Sequence, residues 1–213
     1  MKTSIHQPRR NCSLCPRLEE FRVENREAYP KYFNGPVPSF GSIEASLLIV
    51  GLAPGLKGAN QTGRPFTGDY AGDLLYSTLT RLGLARGKYD RRIDDGFELR
   101  GVRVTNAVRC VPPKNKPDPI EIKTCRGFLG NEIAAMPRLR AILSLGQIAH
   151  NSVSATLGLK RKDHPFTHGA ITKFDGRHLI SSYHCSRYNT NTRVLTPLMF
   201  ETAVLKAKAA AKL

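Results

Sequence analysis

Four of the five cysteines could together bind a metal. Cys12 and Cys15 form a C-x-x-C pair that can reach one metal centre from a tight turn, whereas Cys110 and Cys125 are separated by 14 residues. Four thiolates suit either a tetrahedral zinc ion or a 4Fe–4S cluster. The loose second pair is less typical of zinc and favours iron–sulfur, with buried free thiols as the alternative. For Cys185 we expect a small buried side chain.

Asn106 and His184 are candidate recognition and catalytic residues, because each follows a short apolar run. The amide of Asn106 carries a donor and an acceptor and could bind the edge of a planar heterocycle. The imidazole of His184 could donate to an oxygen that gains negative charge. Each residue alone is more often structural, but together at one edge of a sheet they indicate a site.

A glycine-rich loop directly follows the first apolar run of the chain, residues 45–51. Gly51, Ala53, Pro54 and Gly55 offer no side-chain acid or base, but their bent backbone allows a ligand to approach closely. The loop is not a Walker phosphate loop, since no Gly-Lys-Ser/Thr follows. We expect it to form one wall of a binding site.

The same loop continues through the segment GRPFTGD at 63–69. Phe66, which follows a proline, could offer a flat face to a planar base. Asp69 could position a water molecule. The alternatives are a core position for Phe66 and a helix N-cap for Asp69.

The elements that position these residues follow a strand–helix alternation. Apolar runs predict strands at 45–51, 102–108, 141–146 and 178–183, and helical spacing predicts helices at 72–84, 120–135, 147–157 and 194–212. This alternation predicts an α/β fold with a parallel sheet. The loops 52–69, 109–119 and 184–192 would then lie at the carboxyl ends of the strands, where such sheets bind ligands.

The length fits one domain spanning 1–213, although two small ones would be possible; we expect residues 1–40 to wrap it as loops and a short helix. The net charge of +16 indicates a polyanionic partner, with nucleic acid ahead of an anionic membrane surface. A basic protein without either partner is the alternative. With no long apolar run and no signal-peptide core, we expect a soluble, intracellular protein. Because no obvious apolar association helix is visible, we expect a monomer.

Four segments carry a family resemblance: GLAPG at 51–55, GRPFTGD at 63–69, TNAVRCVPP at 105–113 and SYHCSRYN at 182–189. They resemble the motifs of the uracil-DNA glycosylase superfamily, and most of all the iron–sulfur-containing family 5 (type B) of bacteria and archaea. The resemblance runs from Cys12 to about Asn189. Family 4 has a glutamate where this chain has Leu52-Ala53, which favours family 5. Proline usually follows the motif histidine, where this chain has Cys185.

The resemblance implies a three-layer α/β/α fold with a four-stranded parallel sheet. It implies that the four spaced cysteines hold a 4Fe–4S cluster with a structural role: Cys12, Cys15, Cys110 and Cys125. The implied activity is base-excision repair, in which uracil and other deaminated bases are flipped out of DNA and their N-glycosidic bond is hydrolysed.

The resemblance also implies a role for each candidate site residue. Asn106 would bind the uracil edge and Phe66 would stack on the base, while Gly51, Ala53, Pro54 and Gly55 would line the pocket. His184 would stabilise the leaving base, and Asp69 would position the attacking water. With no lysine placed as a Schiff-base nucleophile, we expect a monofunctional enzyme that leaves an abasic site.

DNA contacts are expected from Arg64, Ser186, Arg187 and Tyr188. Arg187 and Tyr188 could fill the gap left by the flipped base. Further exposed cations are expected to contact the backbone: Lys57, Lys114, Lys116 and Arg193. The expected location is the prokaryotic cytoplasm, at the nucleoid.

Two other functions remain open from the residues. A non-catalytic, zinc-stabilised nucleic-acid-binding module would explain the charge and the cysteines but not Asn106 and His184. Another α/β enzyme acting on a nucleotide or nucleoside would explain the loops but not the charge of +16.

Overall fold

A computed structural model describes residues 7–213 of the chain. In chain order, these residues form α1 (Pro16–Ala28), β1 (Leu47–Gly51), α2 (Ala59–Thr62), α3 (Tyr70–Arg81), β2 (Ala85–Arg86), β3 (Glu98–Leu99), β4 (Val102–Asn106), α4 (Pro119–Ala135), β5 (Ala141–Leu145), α5 (Gln147–Thr156), β6 (Ile171–Phe174), β7 (Arg177–Ser182), α6 (Arg187–Asn191) and α7 (Pro197–Ala211).

The central sheet has the strand order β4-β1-β5-β7-β6, and its first four strands are parallel. The register pairs Gly51 with Asn106 at the end of β1 and β4, and it pairs Leu145 with Ser182 at the end of β5 and β7. Every residue of β1, β4 and β5 is buried, as expected of strands covered on both faces. The predicted parallel sheet and its four strands are therefore confirmed.

A fifth strand extends the sheet beyond the predicted four. β6 pairs antiparallel with β7, and it is partly exposed. The two strands are joined at Asp175-Gly176, where both residues have positive φ (40° and 73°), the backbone that a two-residue hairpin turn requires. The Asp-Gly pair is a hairpin motif, so β6 was detectable in the sequence.

Helices cover both faces of the sheet. In β1, Leu47 and Ile49 belong to the hydrophobic cluster that includes side chains of α3 and α7. The intervening Leu48 and Val50 belong to a second cluster with α4 and α5. Because adjacent strand residues face opposite sides, one strand contributes to both cores. The predicted three-layer α/β/α arrangement is confirmed.

The C-terminal helical region is divided in two. The predicted helix at 194–212 begins at Pro197, because the hydroxyl of Thr196 caps it by accepting from the N–H of Met199 at 3.2 Å. The short α6 precedes it. None of the helices within 7–213 is long and apolar enough to span a bilayer.

The described part of the N-terminal segment consists of loops and α1, as predicted; residues 1–6 of that prediction lie outside the described range. Leu18 of α1 packs with Val108, Cys125 and Phe128 in a third, smaller cluster. This contact joins the segment to the region after β4 and to α4.

Candidate active site

The carboxyl edge of the sheet gathers most of the predicted site residues. A small pocket there, which we call the base pocket, is lined by Ala53, Gly55, Ala59, Phe66, Asp69, Ala71, Asn106 and His184. A groove of about 760 Å³ adjoins it and shares several of its walls. Residues separated by more than 100 positions thus meet because β1, β4 and β7 all end at this edge.

Gly51 allows two functional side chains to approach the backbone. A Cβ atom at Gly51 would lie 2.4 Å from Cζ of Phe66 and 2.5 Å from Oδ1 of Asn106. Neither distance is sterically possible without movement of a ring or an amide. Glycine at this position therefore sets how closely Phe66 and Asn106 sit to the end of β1.

Phe66 is held in an uncommon backbone conformation, with φ of 53°. Its carbonyl oxygen accepts from the hydroxyl of Tyr89 at 3.2 Å, and a Cβ at Gly72 would overlap that same oxygen. The ring is only 6% exposed and lies 6.1 Å from the ring of His184, with 25° between their planes. Phe66 thus belongs to the core and to the pocket wall at once.

The base pocket contains polar groups that have no protein partner. Within residues 7–213, neither the side-chain amide of Asn106 nor the imidazole of His184 forms a hydrogen bond. The backbone N–H groups of Ala53 and Gly55 likewise have no acceptor there. Asn106 is 3% exposed. Because a buried polar group without a partner is costly, a polar ligand bound here would gain all of these interactions.

His184 is a neutral imidazole in this environment. Burial lowers the pKa of His184 to about 4, so near neutral pH one ring nitrogen carries a proton and can donate it in a hydrogen bond. The amide of Asn189 donates to the carbonyl oxygen of His184 at 2.8 Å and fixes the backbone at that point. The ring can therefore stabilise negative charge on a ligand without carrying a charge itself.

Asp69 contributes to the helix and to the pocket. Its Oδ1 accepts from the N–H of Gly72 at 3.1 Å, which confirms the N-cap interpretation for α3. Its Oδ2 lies towards the glycine-rich loop, since a Cβ at Gly58 would be 2.6 Å from that oxygen. Burial raises the pKa of Asp69 above its usual value.

Most of the predicted DNA-contact residues lie on the surface near the groove. The exposed cations are Lys57, Lys114, Lys116, Arg187 and Arg193. Arg187 lies over the ring of Tyr70 at 5.5 Å, and Tyr188 is 74% exposed beside it. Ser186 caps α6 by accepting from the N–H of Asn189 at 3.3 Å.

The prediction that Arg64 contacts DNA is wrong. Arg64 is 3% exposed, and its guanidinium forms two hydrogen bonds with the carboxylate of Asp95, at 2.8 and 2.7 Å. Aromatic rings surround it, those of Phe40, Tyr76, Tyr89 and Phe97. Tyr89 and Asp95 lie in the segment between β2 and β3. The sequence of that segment contains no motif that indicates the pairing of Asp95 with Arg64.

The four predicted metal ligands line one enclosed apolar pocket, which we call the cysteine pocket. Cys15 is the N-cap of α1, Cys110 follows β4 and Cys125 lies in α4. Burial raises the pKa of Cys15 to about 11 and that of Cys110 to about 12. Cys12 completes the group.

Two hydrogen bonds reach the sulfur atoms of this pocket. Nη1 of Arg22 donates to Sγ of Cys110 at 3.7 Å, and the backbone N–H of Arg109 donates to Sγ of Cys125 at 3.4 Å. As they stand, no three His, Cys, Asp or Glu side chains within 7–213 form a group that could hold a metal ion. Cys185 lies elsewhere, fully buried, and donates to the carbonyl oxygen of Ala71, so it is the small buried side chain that we expected.

Comparison with known proteins places the chain in a family. Residues 38–208 match the model of the uracil DNA glycosylase superfamily. The chain is 45% identical to a type-5 uracil-DNA glycosylase of Thermus thermophilus, over 95% of this chain and 94% of that protein. It is 40% identical to a type-5 uracil-DNA glycosylase of Pyrobaculum aerophilum, over 87% of this chain and 83% of that protein.

A type-4 uracil-DNA glycosylase of the same Pyrobaculum species is 32% identical over 72% of this chain and 65% of its own length. The family model covers the strands that carry the base pocket, β1, β4 and β7. The chain therefore belongs to the uracil DNA glycosylase superfamily.

Proposed function

We propose that this protein is a uracil-DNA glycosylase that excises uracil, and other deaminated bases, from DNA. The observation that carries the proposal is the base pocket itself. There, an amide, a neutral imidazole and two backbone N–H groups meet without protein partners, in a chain of the uracil DNA glycosylase superfamily. These groups complement a planar base that has carbonyl oxygens along its edge.

Base recognition would be divided between two side chains. The nucleotide must leave the helical stack before it can enter the base pocket, which costs a few kcal/mol. Phe66 would then stack on the base, and the amide of Asn106 would pair with its O4 and N3–H edge. Arg187 and Tyr188, both exposed next to the groove, would occupy the gap in the duplex.

Bond cleavage would rest on stabilising the base as it leaves with negative charge. His184 donates its ring N–H, and the N–H groups of Ala53 and Gly55 add two further donors. Because these donors are already in place and partly shielded from water, each can lower the barrier by about 3–4 kcal/mol. Water then adds to the sugar. Oδ2 of Asp69, the oxygen that does not cap α3, would orient that water.

We propose a monofunctional enzyme that leaves an intact abasic site. Lys57 lines the adjoining groove but does not line the base pocket. Borohydride added during the reaction should therefore trap no covalent protein–DNA adduct; a trapped adduct would contradict the assignment. The site of action would be chromosomal DNA in the prokaryotic cytoplasm, and we expect a monomer.

The decisive experiment uses a labelled duplex with one uracil, treated with alkali after incubation. We expect a cut at the uracil only after alkali, and a rate reduced by about 10²–10³ in His184→Ala. His178→Ala is the matched control, because His178 lies at the opposite end of the same strand, β7. No cut at uracil or hypoxanthine by the wild type, or equal losses in both variants, would contradict the proposal.

We further propose that Cys12, Cys15, Cys110 and Cys125 hold a 4Fe–4S cluster. The donor set supports this, because four sulfur atoms line one apolar pocket and two of them already accept N–H hydrogen bonds. When bound, the cluster would link α1, the loop after β4 and α4, which is a structural contribution. Ala53, a wall of the base pocket, packs against the same group of side chains. A brown protein that contains iron and sulfide rather than zinc would support this proposal, and a colourless zinc protein would contradict it.

A further inference from the structure

A second groove opens at the carboxyl edge of the sheet, next to the base pocket. It has a volume of about 420 Å³ and shares Leu52 and His184 with the groove that adjoins the base pocket. Its walls include the half-exposed apolar side chains of Ile148, Phe166 and Val194. Apart from His184 and Asn189, the walls of this groove have no role in the proposed mechanism.

A turn with three consecutive cations, Lys160–Lys162, follows α5 and precedes Phe166, a wall of the second groove. The turn is tied to the start of α5, because Nε2 of His150 bonds to the carbonyl oxygen of His164 at 3.0 Å. The ring of Phe166, a wall of the groove, lies 5.6 Å from the ring of His150. The turn and the groove are therefore parts of one surface.

The three cations of this turn are exposed, and none forms an ion pair within the described chain. Other exposed arginines differ from one another: Arg86 and Arg92 are each paired with a carboxylate, whereas Arg140 is unpaired within the described residues. The turn is distinguished by three such cations in a row. A run of unpaired like charges repels itself, and a polyanion relieves that repulsion. The charge of the turn complements phosphate groups.

The groove also offers a stacking surface. The ring of Tyr183 is stacked on that of His168 at 4.9 Å with 11° between the planes, and it lies 5.9 Å from the ring of Phe166. Aromatic surfaces next to cations are the combination that binds nucleic-acid strands without regard to sequence.

We propose that the second groove and the turn Lys160–Lys162 form a second DNA-contact surface. The surface holds the DNA strand on one side of the flipped nucleotide, with phosphates against the turn and sugars or base edges in the groove. The second groove shares His184 with the base pocket and Leu52 with the groove that adjoins it, and this continuity favours DNA over an acidic protein as the occupant. The inference rests on the proposed glycosylase function and extends it to how the substrate is held.

The test compares two triple variants that remove the same charge. Lys160→Gln/Arg161→Gln/Lys162→Gln neutralises the turn, whereas Arg100→Gln/Arg140→Gln/Lys173→Gln neutralises three exposed cations at the opposite edge of the sheet, before β4, before β5 and beside the start of β7. Binding to a duplex with a stable abasic-site analogue is measured by fluorescence anisotropy over a range of salt concentrations. Each phosphate contact that is lost lowers the slope of log affinity against log salt by about 0.9.

We expect the turn variant to lose about two units of that slope and about tenfold in affinity, and the control to lose much less. Equal behaviour of the two variants would overturn the inference. The effect should also be one-sided. With the analogue placed near one or the other end of the duplex, only the duplex that extends over the turn should show the loss, and equal losses would contradict the one-sided placement.

The groove is tested by Val194→Glu, which places a carboxylate on its exposed wall. We expect weaker binding of the same one-sided duplex, and no change for Val23→Glu on the exposed side of α1. Unchanged binding by Val194→Glu would remove the groove from the surface. Uracil excision by the wild type is scored in parallel: absence of excision rejects the proposed function, whereas normal excision with unchanged salt slopes rejects only this inference.

Discussion

The base pocket and the cysteine pocket are both assembled from residues far apart in the chain, but they are held in different ways. The walls of the base pocket are fixed by contacts within the protein: Tyr89 holds the carbonyl oxygen of Phe66, and Gly51 admits both Phe66 and Asn106. In the cysteine pocket, the sulfur atoms accept two hydrogen bonds from the described residues and contact apolar side chains. The base pocket is preformed by packing, whereas the cysteine pocket has few polar contacts of its own, and the proposed cluster would join its walls.

The largest expected effect is on the cysteine pocket. Cys125→Ser should lower the melting temperature by more than about 10 °C, because loss of a bound group removes several kcal/mol of folding free energy. Cys185→Ser is the control, since a hydroxyl there can still donate to the carbonyl oxygen of Ala71. Thermal unfolding and iron content measure the outcome. A Cys125→Ser protein that keeps both its iron and its melting temperature would contradict the proposed cluster.

Next in size is a substitution at the base pocket. Gly51→Ala should reduce uracil excision by about 100-fold, because the added Cβ displaces Phe66 or Asn106 at an overpacking cost of about 1–3 kcal/mol. Gly127→Ala is the control, because a Cβ there meets no atom within 4 Å. Single-turnover rates compare the two. Wild-type activity in Gly51→Ala would mean that the two side chains are not fixed as we describe.

A smaller effect is expected at Tyr89, whose hydroxyl donates to the backbone of the pocket residue Phe66. Tyr89→Phe keeps the ring but removes the hydroxyl that donates to Phe66, so we expect kcat/KM to fall about fivefold, mainly through KM, for about 1 kcal/mol of lost hydrogen bonding. Tyr32→Phe serves as the control in the N-terminal segment. A fall in melting temperature without any change in KM would show that Tyr89 only stabilises the fold.

The smallest expected effect is the pH dependence of folding stability that results from the lowered pKa of His184. The unfolded chain protonates His184 near pH 6.5, whereas burial keeps the folded protein from doing so until about pH 4. Stability contributed by neutral His184 is therefore present above about pH 6.5 and lost as the pH falls towards 4. Between about pH 7.5 and 6, His184→Gln should lose about 1 kcal/mol less stability than the wild type in denaturant unfolding. Parallel curves would contradict the lowered pKa.

The sequence predicted the parts of the molecule that depend on local pattern. The strands, their parallel orientation and the positions of Asn106 and His184 at one edge followed from apolar runs and from what comes after each run. The order of the strands in the sheet did not. Asp69 was correctly interpreted as an N-cap. The hairpin of β6 was missed, although its turn at Asp175-Gly176 is a recognisable pattern.

What the sequence could not predict depends on distant partners. The charge of Arg64 indicated an exposed cation, but Asp95, 31 residues away, pairs with it in the interior. Tyr89 lies in the segment between β2 and β3, which has no helical or strand periodicity of apolar residues. Its hydrogen bond to Phe66 could therefore not be predicted from the sequence. Long-range pairing of this kind is set by the assembled fold and not by spacing along the chain.

The two oxygens of Asp69 have a consequence for how this enzyme could be altered. Oδ1 caps the N-terminus of α3, and Oδ2 faces the glycine-rich loop. A substitution that tunes the chemistry of the pocket at this position also weakens the beginning of a core helix. Laboratory evolution that selects for new bases should therefore leave Asp69 in place and explore its neighbours, unless a compensating change first strengthens α3.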